Sequence, residues 1–305
     1  MKYAGAFALA LLVAGCGGSV PTTSAVPQSR QISGIAQQPP STARLFLGDG
    51  YNGNVDMFDT TGKQLGQIAG VYPEALAVDD ASNLWVGDSS NYTLQQFPSP
   101  YTSPALTLRD TAGTPGAIAV NAAPGPQHGL LAVGSFPRSG FSSLRFFARG
   151  HLTPCKTLLL ASPAYSLAFD SRGDLYIGST RTIQRALHGC GATKVYNLHT
   201  TNQLPRLGYK VAVLPNGNVA VLMSGNPNST IFTYAPAVDA SLGSPIATTS
   251  IALTDAFSFA FMPDGKHVWV PDTINARVEE FAFPSGKAET SFAGSLNYYS
   301  IALSP

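Results

Sequence analysis

The sequence predicts an all-β protein, a six-bladed β-propeller of four-stranded blades whose ring is closed by its two chain ends. Three observations predict it. From Ala43 onward, similar segments return with a period of roughly 44 residues, inside the range of propeller blades. Within each period the same three strand-like pieces recur in the same order. The C-terminal "YSIALSP" (299–305) has no following partner, while the first blade lacks its leading strand, so the two incomplete ends complement each other.

The leading piece has the form x-L-A-V-D: "EALAVDD" (74–80), "GAIAVNA" (116–122), "YSLAFDS" (165–171), "YKVAVLP" (209–215) and "FSFAFMP" (257–263). After a polar turn comes the second: "RLFLGD" (44–49), "NLWVGD" (83–88), "GLLAVGS" (129–135), "DLYIGS" (174–179), "NVAVLMS" (218–224) and "HVWVPD" (267–272). Both are nearly continuous apolar runs, the pattern of strands covered on both faces. The third piece alternates, as in "TLQQF" (93–97), "SLRFF" (143–147) and "RVEEF" (277–281), and is expected nearer solvent. A variable fourth strand closes each unit, for example "KTLLLA" (156–161) or 245–253. A β-sandwich has strands of similar spacing but gives no reason for the phase at which the ends stop. Pairing of "YSIALSP" with "RLFLGD" is therefore expected to close the ring and remove an open sheet edge.

Ahead of the blades, "MKYAGAFALALLVAGC" has a positive Lys2, a short apolar run and small residues before Cys16. The run is too short to span a bilayer and reads as a signal peptide. Val13-Ala14-Gly15-Cys16 resembles the lipobox of bacterial lipoproteins, which implies cleavage before Cys16 and lipidation of that cysteine. Gly17 is not the Asp that retains enterobacterial lipoproteins at the inner membrane, so the resemblance implies an outer-membrane address in the cell envelope. The expected organisation is a signal peptide over 1–15, the lipidated Cys16 with a Pro-, Ser-, Thr- and Gln-rich tether over 16–42, and the propeller over 43–305. The two remaining cysteines, Cys155 and Cys190, occupy near-equivalent outer positions on consecutive blades, which predicts a disulfide.

With 44% hydrophobic and 11% charged residues and a formal charge of +1 that includes Lys2, the chain offers no basic surface for nucleic acid. No phosphate-cradling loop, G-x-S-x-G or Cys-x-x-Cys is present, so no cofactor is expected.

"PEALAVDDASNLWVGDSSNYTLQQF" and "FAFMPDGKHVWVPDTINARVEEF" resemble NHL-type blades and the wider group of six-bladed propellers that includes gluconolactonase-like and streptogramin-lyase-like proteins. A metal-dependent enzyme of that group would hold a divalent ion on Glu, Asn or Asp at the channel mouth. Here the starts of the leading strands read Glu74, Gly116, Tyr165, Lys210, Phe257 and Tyr299, and only Glu74 fits; it is equally suited to pairing with Lys210 or to solvent. The repeated Asp-x-x-Asn of Asp49, Asp88 and Asp272 reads as a turn motif. Of five histidines, only His199 is placed to reach the channel side. What that face offers is aromatic: Tyr51, Tyr72, Phe136, Phe141, Tyr165, Tyr209, Phe257, Tyr298 and Tyr299. Tyr72, Glu74, Tyr165, Tyr209, Lys210, Phe257 and Tyr299 are thus the expected binding residues, for an envelope protein, peptide or glycan. A binding or scaffolding module is favoured over an enzyme, and no metal site is expected.

Overall fold

The computed structural model describes residues 43–137, 141–179, 182–201 and 210–304. Cys16 and Tyr209 lie outside the described residues. Six antiparallel sheets form the six blades of a β-propeller. Blade 1 contains β1 (Arg44–Asp49), β2 (Asn54–Asp59) and β3 (Gln64–Ala69), and blade 2 contains β4 (Pro73–Val78), β5 (Leu84–Asp88), β6 (Thr93–Phe97) and β7 (Leu106–Arg109). Blade 3 runs through β8 (Gly113–Val120), β9 (Leu131–Pro137), β10 (Ser142–Phe147) and β11 (Lys156–Leu160). Blade 4 comprises β12 (Ala164–Phe169), β13 (Leu175–Ser179), β14 (Ile183–Ala186) and β15 (Val195–Thr200). Blade 5 has β16 (Lys210–Val213), β17 (Val219–Met223), β18 (Ser229–Tyr234) and β20 (Ala247–Ile251), with β19 (Ser241–Gly243), between β18 and β20 in the chain, joining the sheet of blade 4; blade 6 has β21 (Ala260–Phe261), β22 (His267–Asp272), β23 (Arg277–Ala282) and β24 (Ala288–Ala293). The last strand, β25 (Tyr298–Ser304), returns to blade 1.

That return is the expected closure. β25 runs antiparallel to β1 from Arg44↔Ser304 to Asp49↔Tyr298 and becomes the innermost strand of blade 1. Tyr298, Ile301 and Ala302 are buried there, against Leu45, Phe46 and Leu47, which are fully buried.

The second strands β5, β13 and β17 are buried at every residue, as their apolar runs require when a neighbouring blade covers each face. Where their sequence reads Val-Gly-Asp, the glycine admits the next blade: a Cβ on Gly87 would lie 2.5 Å from the Pro115 carbonyl oxygen. The third strands are more enclosed than their alternation suggested. In β10 and β14 every residue is buried, and it is the fourth strands, such as β7 and β11, that alternate toward solvent. Several polar side chains of the third strands are buried and paired. Arg185 bonds the Asp174 carboxylate at 2.6 Å, Arg145 pairs with Asp110, and Gln184 donates to Asn197 at 2.8 Å. One further strand was not anticipated: β19 adds parallel to the outer edge of β15.

Cys155 and Cys190 form a disulfide, with Cα atoms 5.5 Å apart, that links the outer part of blade 3 to the loop between β14 and β15 of blade 4.

Candidate functional site

The leading strand of four blades carries the same irregularity near its start. Pairing passes from Pro73↔Asp88 to Ala75↔Gly87, from Pro115↔Ser135 to Ala117↔Gly134, and from Ala164↔Ser179 to Ser166↔Gly178. In blade 1 it passes from Asp49↔Tyr298 to Gly48↔Ser300. Each step leaves one residue out of the ladder: Glu74, Gly116, Tyr165 and Tyr299. A bulge of this kind re-aims the side chain it leaves unpaired. Lys210, which opens β16, and Phe257, just before β21, hold the corresponding places in blades 5 and 6. The six candidate positions therefore form one ring at the channel mouth.

Around this ring the aromatic groups pair. Phe257 and Tyr299, both well exposed, meet edge to face with ring centroids 5.9 Å apart. Phe136 reaches in from the end of β9 and lies 5.2 Å from the Tyr165 ring. It fills the place that Gly116 leaves open, where a Cβ would lie 2.5 to 2.8 Å from three atoms of the Phe136 ring. The glycine in the ring is thus a seat for an aromatic side chain from another strand.

Lys210 is the cation of the ring. Its Nζ donates to the Tyr165 carbonyl oxygen at 2.9 Å. Burial pushes its ammonium down to about 8, and the charge of Glu74 pulls it partly back up. Glu74 itself is exposed, and among the described residues no ion pair joins it to Lys210. Below the ring, the six leading strands enclose a cavity of about 90 Å³, bordered by Ala75, Ala117, Ser166, Lys210, Ser258 and Ser300.

Two of the expected aromatics lie elsewhere. The ring of Tyr72 covers Gly53 and borders a separate polar groove of about 600 Å³ beside blade 1. Tyr298 is buried, and its hydroxyl donates to Asp56 Oδ2 at 2.6 Å; burial and that carboxylate push its phenol strongly up. Tyr298 therefore belongs to the ring closure. Of the two adjacent tyrosines the sequence points to Tyr299 as the binding residue, and it is Tyr299 that the bulge leaves out of the ladder.

The three Asp-x-x-Asn motifs fold as turn clamps. Asp49 accepts from the Tyr51 and Asn52 amides at 3.1 and 2.8 Å and from Asn52 Nδ2 at 2.8 Å. Asp88 repeats this with Ser90 and Asn91, and Asp272 with Ile274 and Asn275. These hydrogen bonds hold the Asp49 and Asp272 carboxyls below their ordinary range, against the upward push of burial. Asp49 and Asp88 also fasten the loop that enters the leading strand, through Ser295 at 2.7 Å and the Tyr72 amide at 3.3 Å. Among the described residues, no three His, Cys, Asp or Glu side chains are grouped to hold a metal ion. His199, expected to reach the channel side, lies exposed near the end of β15, the fourth strand of its blade. On the opposite face, a groove of about 380 Å³ between blades 2 and 3 contains Asp79. That carboxylate is already occupied by Asn83, Trp85 and Gln96.

No protein-family model matches the chain, and no curated protein matches it. Solved structures do. A chain of the nidogen/laminin complex is 15% identical, with a TM-score of 0.65 over 86% of this chain and 98% of that one. A Bacteroides caccae protein of unknown function is 10% identical, with a TM-score of 0.65 over 86% of this chain and 99% of that one. The WD40 domain of Toxoplasma gondii coronin is 12% identical, with a TM-score of 0.55 over 83% of this chain and 69% of that one. At these identities the likeness is one of fold, and the class it defines is the β-propeller.

Proposed function

We propose that this propeller is a binding module of the bacterial cell envelope, tethered through a lipid on Cys16, that takes an envelope protein, peptide or glycan at its channel mouth. The observation that carries this reading is the ring of six leading-strand positions, four of them bulged. It places an exposed aromatic pair, Phe257 and Tyr299, beside a charged pair at a concave surface. Exposed aromatics next to a few polar groups are what such ligands need. The complex in which the nidogen/laminin neighbour was solved is in keeping with a protein ligand. An NHL-type affiliation rests on the motifs of blades 2 and 6. A gluconolactonase-like hydrolase gains no support from the residues present: the clamp aspartates are committed to their own turns, and Glu74 alone faces the mouth.

Printed arrays of envelope glycans and peptides, probed with the propeller and with a Phe257→Ala/Tyr299→Ala variant, test the reading. Binding that the double substitution abolishes while thermal stability is kept supports it. Binding equal in both proteins overturns it. The tether is tested separately by labelling with a fatty-acid analogue, which Cys16→Ser is expected to abolish.

A further inference from the structure

Of the six ring positions, two carry charge, and they belong to blades 2 and 5. In a ring of six, those blades stand opposite each other. Glu74 and Lys210 therefore hold opposite positions of the ring; Lys210 borders the cavity below it, and the charge of Glu74 acts on the Lys210 ammonium without an ion pair. Neither is consumed by the fold. Among the described contacts Lys210 uses one of its three donors, on the Tyr165 carbonyl. Glu74 accepts no hydrogen bond among the described residues.

Resting on the reading of the channel mouth as a binding face for peptides, we infer that the member of that class it takes is the smallest zwitterionic unit, a free α-amino acid with an apolar or aromatic side chain. Its carboxylate would meet Lys210 and its ammonium Glu74. The competing classes fit less well. A plain carboxylate satisfies Lys210 but is repelled by Glu74, and a plain amine meets the reverse. A neutral ligand covers both charges and pairs neither, which is costly. Only a body carrying both signs at short separation satisfies both walls. The cavity below, at about 90 Å³, has the room of roughly three waters and suits a charged head group. The side chain of the amino acid then lies outward, against the exposed Phe257 and Tyr299 rings.

Isothermal titration of the full chain with four probes sharing one phenyl ring tests this: L-phenylalanine, phenylacetate, phenethylamine and N-acetylphenylalanine amide. L-Phenylalanine is expected to bind at least tenfold more tightly than each of the other three. Glu74→Gln, at an exposed position that leaves the core intact, is expected to bring its affinity down to that of phenylacetate. Lys210→Met is expected to bring it down to that of phenethylamine. If the neutral amide binds as tightly as L-phenylalanine, the mouth is a binding face but the zwitterion assignment is wrong. If none of the four binds, the assignment is also wrong, and the binding face stands or falls on the glycan and peptide arrays.

Discussion

Removing β25, residues 298–304, is expected to cost the propeller its fold. Tyr298 and Ile301 are buried in the closed ring, at 3% and 6% exposure. Each contributes about 1.5–3 kcal/mol through burial, and the Tyr298 hydroxyl adds roughly 1.5–3 kcal/mol through its bond to the Asp56 carboxylate. The total, about 5–9 kcal/mol, falls within the whole stability of a typical domain, about 5–15 kcal/mol. It leaves out the further loss as Leu45, Phe46 and Leu47 face water and β1 becomes an open edge. The truncated chain is therefore expected to aggregate or to show no cooperative melt by near-ultraviolet circular dichroism. The milder Ile301→Ala is expected to remain folded and to lose roughly 2–5 kcal/mol. A truncated chain that stays monomeric and melts within about 2 °C of the intact one, a shift worth less than about 1 kcal/mol at this size, would refute the closure argument.

Four other outcomes follow from the same structure. Replacing Cys155 and Cys190 with serine opens a loop closed over a sequence separation of 35; the chain-entropy relation gives a loss of about 4 kcal/mol, and thermal melts of wild type and variant measure it. Asp88→Ala removes a fully buried carboxylate that holds the Ser90 and Tyr72 amides, at a cost of roughly 2–3 kcal/mol in denaturant unfolding. Because the aspartates act as turn clamps, a chelator is expected to leave the wild-type melt unchanged. Carbon-13 methylation of the lysines followed by NMR titration is expected to show one resonance titrating near 8, missing in Lys210→Met. Its folded value lies below the ordinary one, so the charged form is disfavoured by folding; that cost is present in full below pH 8 and fades as the pH rises toward the ordinary lysine value near 10.4. Lysines that all titrate near that ordinary value would show that Lys210 is solvated.

The architecture was legible because the blade signal is repeated. Six copies of an apolar second strand and a C-terminal segment lacking its partner suffice to set blade number and closure. The buried third strands were harder to read. Arg145, Gln184 and Glu279 look like solvent-facing residues in an alternating strand, but each is buried beside a polar partner supplied by another segment or by its own strand. The ring at the mouth was legible as positions, since Glu74, Tyr165, Lys210 and Tyr299 fall at the same phase of the repeat. Its mechanism was not, because a bulge leaves no mark in periodicity beyond a single residue. The seating of Phe136 over Gly116 was hidden for a related reason: it joins a glycine in one strand to an aromatic at the end of the next. A lone glycine in a strand pattern, followed by an aromatic at the far end of the paired strand, was the available clue.

The central claim is that the channel mouth, with the Phe257–Tyr299 pair at its rim, is where this propeller meets its ligand. The most direct measurement is the array comparison of wild type with Phe257→Ala/Tyr299→Ala, run alongside a Leu152→Ala control at an exposed position beside the groove of the opposite face. The account predicts that a glycan or peptide bound by wild type is lost in the mouth variant and kept in the control. Binding that survives in the mouth variant and disappears in the control would contradict it.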